Sequence, residues 1–226
     1  MKTAFLFIFI LVSGFTFAQD NPVLTTKTNS QSRFISAGFS AIAYKGSLQT
    51  AYSRWTPSYH LGISLEKKKL FSSFFGLGFG NYIGEDRSYK LSEKADQNLQ
   101  PSASFKSSFF TLHYEARFLI FKYGGIRLHA CQGIGLFRFT VKDKSGNNLA
   151  EKPRSRASGE TYSQNSFFFP SSLMLRYEFP NQMWLGFQAG WYNTSSNYLD
   201  NMNQLAINKG GDNLASMRFH FSIPLR

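Results

Sequence analysis

The most constraining feature of this sequence is a period-two alternation of bulky apolar residues with small or polar residues, which recurs in eight segments. A period of two places successive side chains on opposite faces of a β-strand. In the fourth segment, for example, Leu112 and Tyr114 alternate with His113 and Glu115. Each segment therefore predicts a strand with two chemically unequal faces. The predicted strands are 33–45, 57–66, 70–81, 107–121, 125–140, 166–179, 182–193 and 214–225.

The width of an eight-stranded barrel indicates which face points outward. A soluble barrel turns its apolar face inward, whereas a membrane barrel turns it outward. The apolar face here carries many Phe and Trp side chains, too many for so narrow an interior, whereas Gly, Ser and scattered charged residues would fit. We therefore predict an all-β fold: an eight-stranded antiparallel transmembrane up-and-down β-barrel whose large residues face lipid.

The connections between the strands alternate strictly between short and long. Outer-membrane barrels have short periplasmic turns and long extracellular loops, and an even number of strands places both termini in the periplasm. We expect the long connections to be mobile and exposed to solvent. The short connections are 67–69, 122–125 and 180–181, and the long ones are 46–56, 82–106, 141–165 and 194–213.

Aromatic residues near the strand ends predict interfacial girdles. Tyr and Trp side chains are enriched at both interfaces of membrane barrels. The residues expected in these girdles are Tyr44, Tyr59, Tyr82, Tyr123, Trp184 and Tyr192.

The amino-terminal residues predict export. A positive start at Lys2 is followed by an apolar run from Ala4 to Val12 and a small-residue exit at Ala18, which is typical of a secretory signal peptide. The run is about half the ~20 residues that a spanning helix needs. We therefore expect a signal peptide at 1–18, a flexible periplasmic segment at 19–32 and a barrel at 33–226, in the outer membrane of a Gram-negative bacterium.

The net charge of +12 indicates an anionic partner or a solubilising role. No nucleic-acid motif or Lys/Arg-rich helix is recognisable, and export would remove nucleic acid as a partner. The basic surface could instead contact the phosphates of outer-membrane lipid or lipopolysaccharide. The alternative is that the charges only keep the loops soluble. Cys131 is the only cysteine, so it cannot form an intramolecular disulfide.

Histidines and charged residues share the predicted inward face. They could form a proton relay, a metal site or a catalytic group, but buried charges must pair, and small barrels fill their interiors with side chains. We predict a packed polar network with no catalytic residue, cofactor or metal, because the histidines show no metal-ligand spacing. The network comprises His60, His113, Glu115, Arg117, Arg127, His129, Arg176, Glu178, Arg218 and His220.

One pair, His220 and Ser222, resembles the His-x-Ser pair of outer-membrane lipid A deacylases. Such a nucleophile needs its base, and the base needs an acidic orienting group, within hydrogen-bond reach. No Asp or Glu follows Ser222, and both residues point inward in the predicted register. We therefore predict that the chain is not an enzyme.

Four segments resemble the small outer-membrane barrel family that includes PorG, a component of type IX secretion. They are 44–48, 133–139, 184–191 and 197–201. Ser47, Asn197 and Asn201 stand where the family pattern has Asp. The turn and loop residues that carry the resemblance are Tyr44, Gly46, Leu48, Tyr198, Leu199 and Asp200.

Three functions follow as hypotheses. The resemblance implies an accessory or anchoring component whose periplasmic turns, including Lys67 to Lys69, dock secretion-ring proteins or lipoproteins. The second is a general OmpA-like surface barrel whose loops bind ligands or stabilise the envelope. The third is a lipid A-modifying acyl hydrolase. A diffusion channel fits least, because eight strands leave little open lumen.

Overall fold

The described part of the chain folds into one closed antiparallel barrel in which every strand pairs with its neighbours in sequence and the last strand pairs with the first. The computed structural model confirms the predicted eight-stranded all-β barrel. The predicted signal peptide, residues 19–31 of the predicted lead-in, Leu48 and the predicted docking residues Lys67 to Lys69 lie outside the described residues. The structure describes residues 32–46, 49–66, 70–85, 102, 104–152, 163–201 and 211–225.

All eight predicted strands are present. The largest difference is in the third strand, which was predicted to end at residue 81 and continues to Glu85. A short 3-10 helix, Leu149–Glu151, lies between the fifth and sixth strands. The strands are β1 Ser32–Lys45, β2 Trp55–Glu66, β3 Phe71–Glu85, β4 Ser104–Tyr123, β5 Ile126–Lys142, β6 Asn165–Glu178, β7 Trp184–Thr194 and β8 Asn213–Leu225.

The short and long connections lie at opposite ends of the barrel. At the short-turn end, β4 and β5 are joined by a tight turn in which Gly124 has a φ of 55°, a conformation that favours glycine. β1 begins and β8 ends at this end, since Arg33 pairs with both Leu65 and Leu225. We call the opposite end, where the connections after β1, β3, β5 and β7 lie, the long-connection end.

The outward face of the barrel is an apolar belt. Cross-strand rows such as Leu77–Leu112–Leu136 are all exposed. On β4 the belt extends from Phe110 to Ile120, about ten residues or roughly 33 Å along the strand. With the usual strand tilt this corresponds to about 25 Å, the height of the apolar band in membrane barrels. The prediction that the bulky apolar face points outward is confirmed.

The interior holds large aromatic side chains at the long-connection end, so the prediction that only small and polar residues fill it is wrong there. Inward glycines make room for these rings. A Cβ at Gly84 would lie 2.4 Å from the Phe105 ring and 3.1 Å from that of Tyr44. This aromatic core comprises Tyr44, Tyr82, Phe105, Phe109, Phe137, Phe139, Phe168 and Tyr192, packed with Ile42, Val141, Leu149, Leu199 and Leu214.

Four of the six predicted girdle residues belong to the interior instead. Tyr59 and Tyr123 are exposed on the outside, as predicted. Tyr44, Tyr82, Trp184 and Tyr192 are buried, because each occupies an inward position of its strand. Nearness to a strand end was the wrong criterion for these residues, because strand alternation decides which face they occupy.

Two long connections contribute to the core, although we expected them to be exposed. Leu149 lies between β5 and β6, Leu199 lies between β7 and β8, and both side chains are buried in the aromatic core. They close the long-connection end with apolar contacts. No helix among the described residues is long and apolar enough to cross a membrane.

Candidate functional site

The inward histidines of β2 and β8 occupy space that a glycine between them leaves open. Gly38 pairs in register with both His60 and His220. A Cβ at Gly38 would lie 2.7 Å from the His60 ring and 2.0 Å from the Phe219 carbonyl oxygen. The two imidazole rings therefore approach each other edge to face, with centroids 5.6 Å apart. The indole ring of Trp184 and the imidazole ring of His220 also meet edge to face, with centroids 5.1 Å apart.

Glu115 is the centre of the buried charge network. Its Oε1 accepts a hydrogen bond from Arg117 Nε at 2.9 Å, and its Oε2 accepts one from Arg218 Nη2 at 2.9 Å. Gln188 Nε2 donates to the same Oε2 at 3.0 Å and to Ser172 Oγ at 2.6 Å. The side chain of Glu115 is 0% exposed. One carboxylate thus pairs with two guanidinium groups that come from opposite parts of the barrel wall, which leaves the triad with a net charge of +1.

A second ionic group lies nearer the short-turn end. Glu66 forms an ion pair with Arg176, whose guanidinium carbon lies 4.9 Å from the Trp184 ring centroid. Arg127 forms an ion pair with Glu178, and its Nη1 lies 4.0 Å from Glu66 Oε2. The Arg127 and Glu178 side chains remain 20% and 26% exposed. This group therefore forms the polar floor of the lumen, where water can reach it.

The structure places the predicted network residues at inward positions, but it divides them. His113 packs between the rings of Phe74 and Phe168 at 5.7 Å from each, and His129 is buried on β5. Neither joins the carboxylate groups by a hydrogen bond. Sequence reasoning missed Glu66, which accepts a hydrogen bond from the buried Arg176, and Gln188, which donates one to the buried Glu115. Strand alternation could have found both, since each has the same parity as the inward residues of its strand.

His220 and Ser222 are neighbours on β8 without forming a pair. Ser222 Oγ lies 2.5 Å from Ser36 Oγ on β1. In the described part of the chain, His220 and Ser222 share no hydrogen bond. Among the same residues, no three His, Cys, Asp or Glu side chains are grouped so that they could hold a metal ion.

The described turn and loop residues that carry the family resemblance lie together at the long-connection end. The Tyr44 hydroxyl lies 2.8 Å from Asp200 Oδ2 and 2.9 Å from Asp212 Oδ1. Asp212 Oδ2 accepts a hydrogen bond from the Leu199 backbone N–H at 2.8 Å. A Cβ at Gly46 would lie 1.9 Å from the Tyr44 hydroxyl oxygen, so glycine is required there. We call Tyr44, Asp200 and Asp212 the tyrosine latch.

The tyrosine latch fastens the β7–β8 connection over the barrel. Tyr82 adds a hydrogen bond from its hydroxyl to the Leu199 carbonyl oxygen at 3.0 Å, and the half-buried Tyr198 packs against the aromatic core. Asp212 was not singled out in the sequence, because it lies outside the segments that carry the resemblance. The motif residues thus have a structural role in closing the long-connection end.

Removal of the Tyr44 hydroxyl is expected to loosen this closure. Tyr44→Phe should lower the free energy of unfolding by about 1.5–3 kcal/mol, because it removes a buried hydrogen bond to a carboxylate. Urea titration of the protein in detergent micelles would measure this loss, and limited proteolysis should show faster cleavage in the β7–β8 connection. Tyr59→Phe, at an exposed outward tyrosine, is the matched control. Equal stabilities of the two variants would contradict a closing role for the latch.

Comparisons with known proteins place the chain by its fold. No protein-family model matches the sequence, and no curated protein matches it either. Neisserial surface protein A is similar in structure, with a TM-score of 0.54 at 10% identity over 84% of this chain and 96% of that one. The attachment invasion locus protein Ail of Yersinia pestis gives 0.48 at 10% identity, covering 86% and 99%. The outer membrane enzyme PagL gives 0.40 at 16% identity, covering 85% and 99%.

Proposed function

We propose that the chain is an outer-membrane β-barrel that acts as a structural or accessory component and has no catalytic role. The observation that carries this proposal is the outward apolar belt, about 25 Å tall by the strand geometry. It is interrupted at Gln132 and Ser171, whose side chains hydrogen-bond to each other at 2.8 Å. An exposed apolar surface of this extent is unfavourable in water and favourable in lipid. The fold shared with neisserial surface protein A supports the same placement.

The orientation that we propose follows from the two unequal ends. In bacterial outer-membrane barrels, the short turns face the periplasm and the long loops face the outside. The short-turn end, where β1 begins and β8 ends, would therefore be periplasmic. The long-connection end, closed by the aromatic core and the tyrosine latch, would face the medium. Because the aromatic core and the polar network both fill the lumen, we do not propose transport through it.

The short-turn end supplies the surface for a periplasmic partner. Tyr123, the last residue of β4 before the β4–β5 turn, is 75% exposed, and Lys122 beside it is also exposed. An exposed tyrosine is typical of residues that anchor protein interfaces. Together with the resemblance to the family that includes PorG, this supports docking of a secretion-ring protein or lipoprotein at the short-turn end.

A paired set of variants tests this docking. The double variant Tyr123→Ala with Lys122→Ser is expected to reduce capture of the periplasmic partner about tenfold, as for an interface anchor. Affinity capture from native membranes with identification of the bound proteins would measure it, alongside secretion by the same cells. Lys144→Ser, at the other end of the barrel, is the control and should capture normally. Normal capture and secretion with the double variant would contradict docking at this end.

An OmpA-like surface role is the second candidate, and the filled and latched long-connection end favours it. Such a barrel would bind ligands through its loops or would stabilise the envelope. Replacement of the long loops, with the strands and short turns retained, should then abolish its role. The docking model predicts instead that the loop replacements keep partner capture.

A further inference from the structure

A basic groove lies on the outward face of the barrel above the apolar belt. It spans β3, β4 and β5 at the long-connection end and has a volume of about 470 Å³. Four cations and two carboxylates line it: Arg54, Lys106, Lys142, Lys144, Glu85 and Asp143.

The two carboxylates of the groove already have cationic partners. Glu85 lies 2.5 Å from Arg54 and 3.4 Å from Lys144. Asp143 lies 2.5 Å from Lys152. The hydrogen bonds from Lys152 and Asn147 hold the pKa of Asp143 below its ordinary value, so it stays ionised at neutral pH. Neither carboxylate therefore neutralises the two lysines at the centre of the groove.

Lys106 and Lys142 face each other across the β4–β5 ladder. They are directly paired in register, and both are exposed on the outward face. Neither forms an ion pair with any residue that the structure describes. Like charges in directly opposed positions destabilise a sheet, with Cβ atoms about 5 Å apart. An anion bound between the two ammonium groups would remove this repulsion.

The residues below the two lysines change from polar to apolar in regular rows. Rows on one face lie two residues apart, about 7 Å along the strand. The rows below Lys106–Lys142 are Asn81–Ser108–Thr140, then Phe79–Phe110–Arg138, then Leu77–Leu112–Leu136. Cations, hydrogen-bonding groups and exposed apolar side chains therefore follow one another toward the centre of the belt.

We propose that this face binds a phosphorylated glycolipid of the lipid A type. The phosphates lie between Lys106, Lys142 and Arg138, the sugars contact Ser108 and Asn81, and the acyl chains cover the exposed rows below. This site rests on the proposed outer-membrane placement, because such lipids belong to the outer leaflet. Phosphate between two ammonium groups gives charge-assisted hydrogen bonds, and the acyl chains add the apolar contact that a free anion lacks.

The lysine pair distinguishes this site from general attraction of the +12 chain to anionic surfaces. Lys106 and Lys142 are on neighbouring strands, whereas outward Lys45 on β1 lies over the Tyr52 ring at 5.7 Å, on another part of the wall. Lys45 is the matched control, since it is an exposed outward lysine at the same end of the barrel but does not line the groove.

Binding is tested with the full chain folded in nanodiscs of phosphatidylcholine. Purified diphosphorylated lipid A is the probe, and native mass spectrometry measures its occupancy. The double variant Lys106→Ala with Lys142→Ala should bind about 30-fold more weakly, at about a kcal/mol for each lysine near an anionic surface. Lys45→Ala should bind as the parent chain does, and dephosphorylated lipid A should bind the parent as weakly as the double variant binds the intact lipid.

Further arms separate the possible failures. If the parent chain does not insert into nanodiscs, the proposed membrane function fails together with the site. If it inserts and the double variant binds equally, only the site is overturned. Displacement of the lipid by millimolar inorganic phosphate would identify a free-anion site and also overturn the proposal. In lipid-free zwitterionic detergent, Lys142→Ala should be at least as stable as the parent, because it removes the Lys106 repulsion; a loss of stability there would indicate a structural role.

Discussion

Replacement of Glu115 by alanine is expected to destabilise the folded barrel by about 3–5 kcal/mol. Glu115 is the carboxylate that pairs both Arg117 and Arg218, and it is fully buried. Its removal leaves two guanidinium groups in the lumen without their counter-ion. The cost of an uncompensated buried charge exceeds the cost of the lost contacts themselves.

Guanidinium unfolding in phospholipid vesicles would measure this loss. Glu178→Ala is the matched control, because Glu178 also pairs with an arginine but its side chain is 26% exposed. Water can compensate Arg127, so the control should lose less than about 1 kcal/mol. Adding Arg218→Met to Glu115→Ala should restore part of the stability, since it removes one of the two unpaired charges. Similar losses of unfolding free energy in Glu115→Ala and Glu178→Ala would mean that water reaches the lumen centre and that Glu115 is not the essential counter-ion of the two arginines.

Strand alternation was sufficient to predict the number of strands, and together with the narrow interior of an eight-stranded barrel it predicted the outward face. Alternation assigns each residue to a face, and the short turns fix the order of neighbouring strands. It gives no height along the barrel axis, so it could not separate the aromatic core from the polar floor. Trp184 illustrates this limit. Alternation puts its side chain inside the barrel, but only the structure shows that it packs against His220 and Arg176.

The contacts of the polar network depended on register, which the sequence did not supply. Glu115 meets Arg218 because β4 and β8 place these residues at one height across the lumen. The pairing of Lys106 with Lys142 has the same origin. The tyrosine latch could not be predicted at all, because Asp212 lies in a connection, where no strand period assigns a side chain to a face.

A charge in the middle of the outward belt should destabilise the barrel in lipid. Ile134 is 50% exposed and pairs with Tyr114, near the centre of the belt on β5. Ile134→Arg is expected to lower the free energy of unfolding in phospholipid vesicles by about 2–4 kcal/mol, the cost of arginine near the bilayer midplane. In a soluble barrel the same exposed position would tolerate arginine within about 0.5 kcal/mol.

Position along the strand provides the control for this variant. Asn193 is exposed at the end of β7, at the long-connection end, and pairs with Phe169 and Asn213, so no charged residue lies directly opposite it. Asn193→Arg should cost about 0–1 kcal/mol, because arginine near the interface can extend to the headgroups. A gradient between the two positions would locate hydrocarbon against the belt. Equal and small effects at both, with the chain dissolved without detergent, would mean that water contacts these residues, and both the membrane placement and the glycolipid site that depends on it would have to be abandoned.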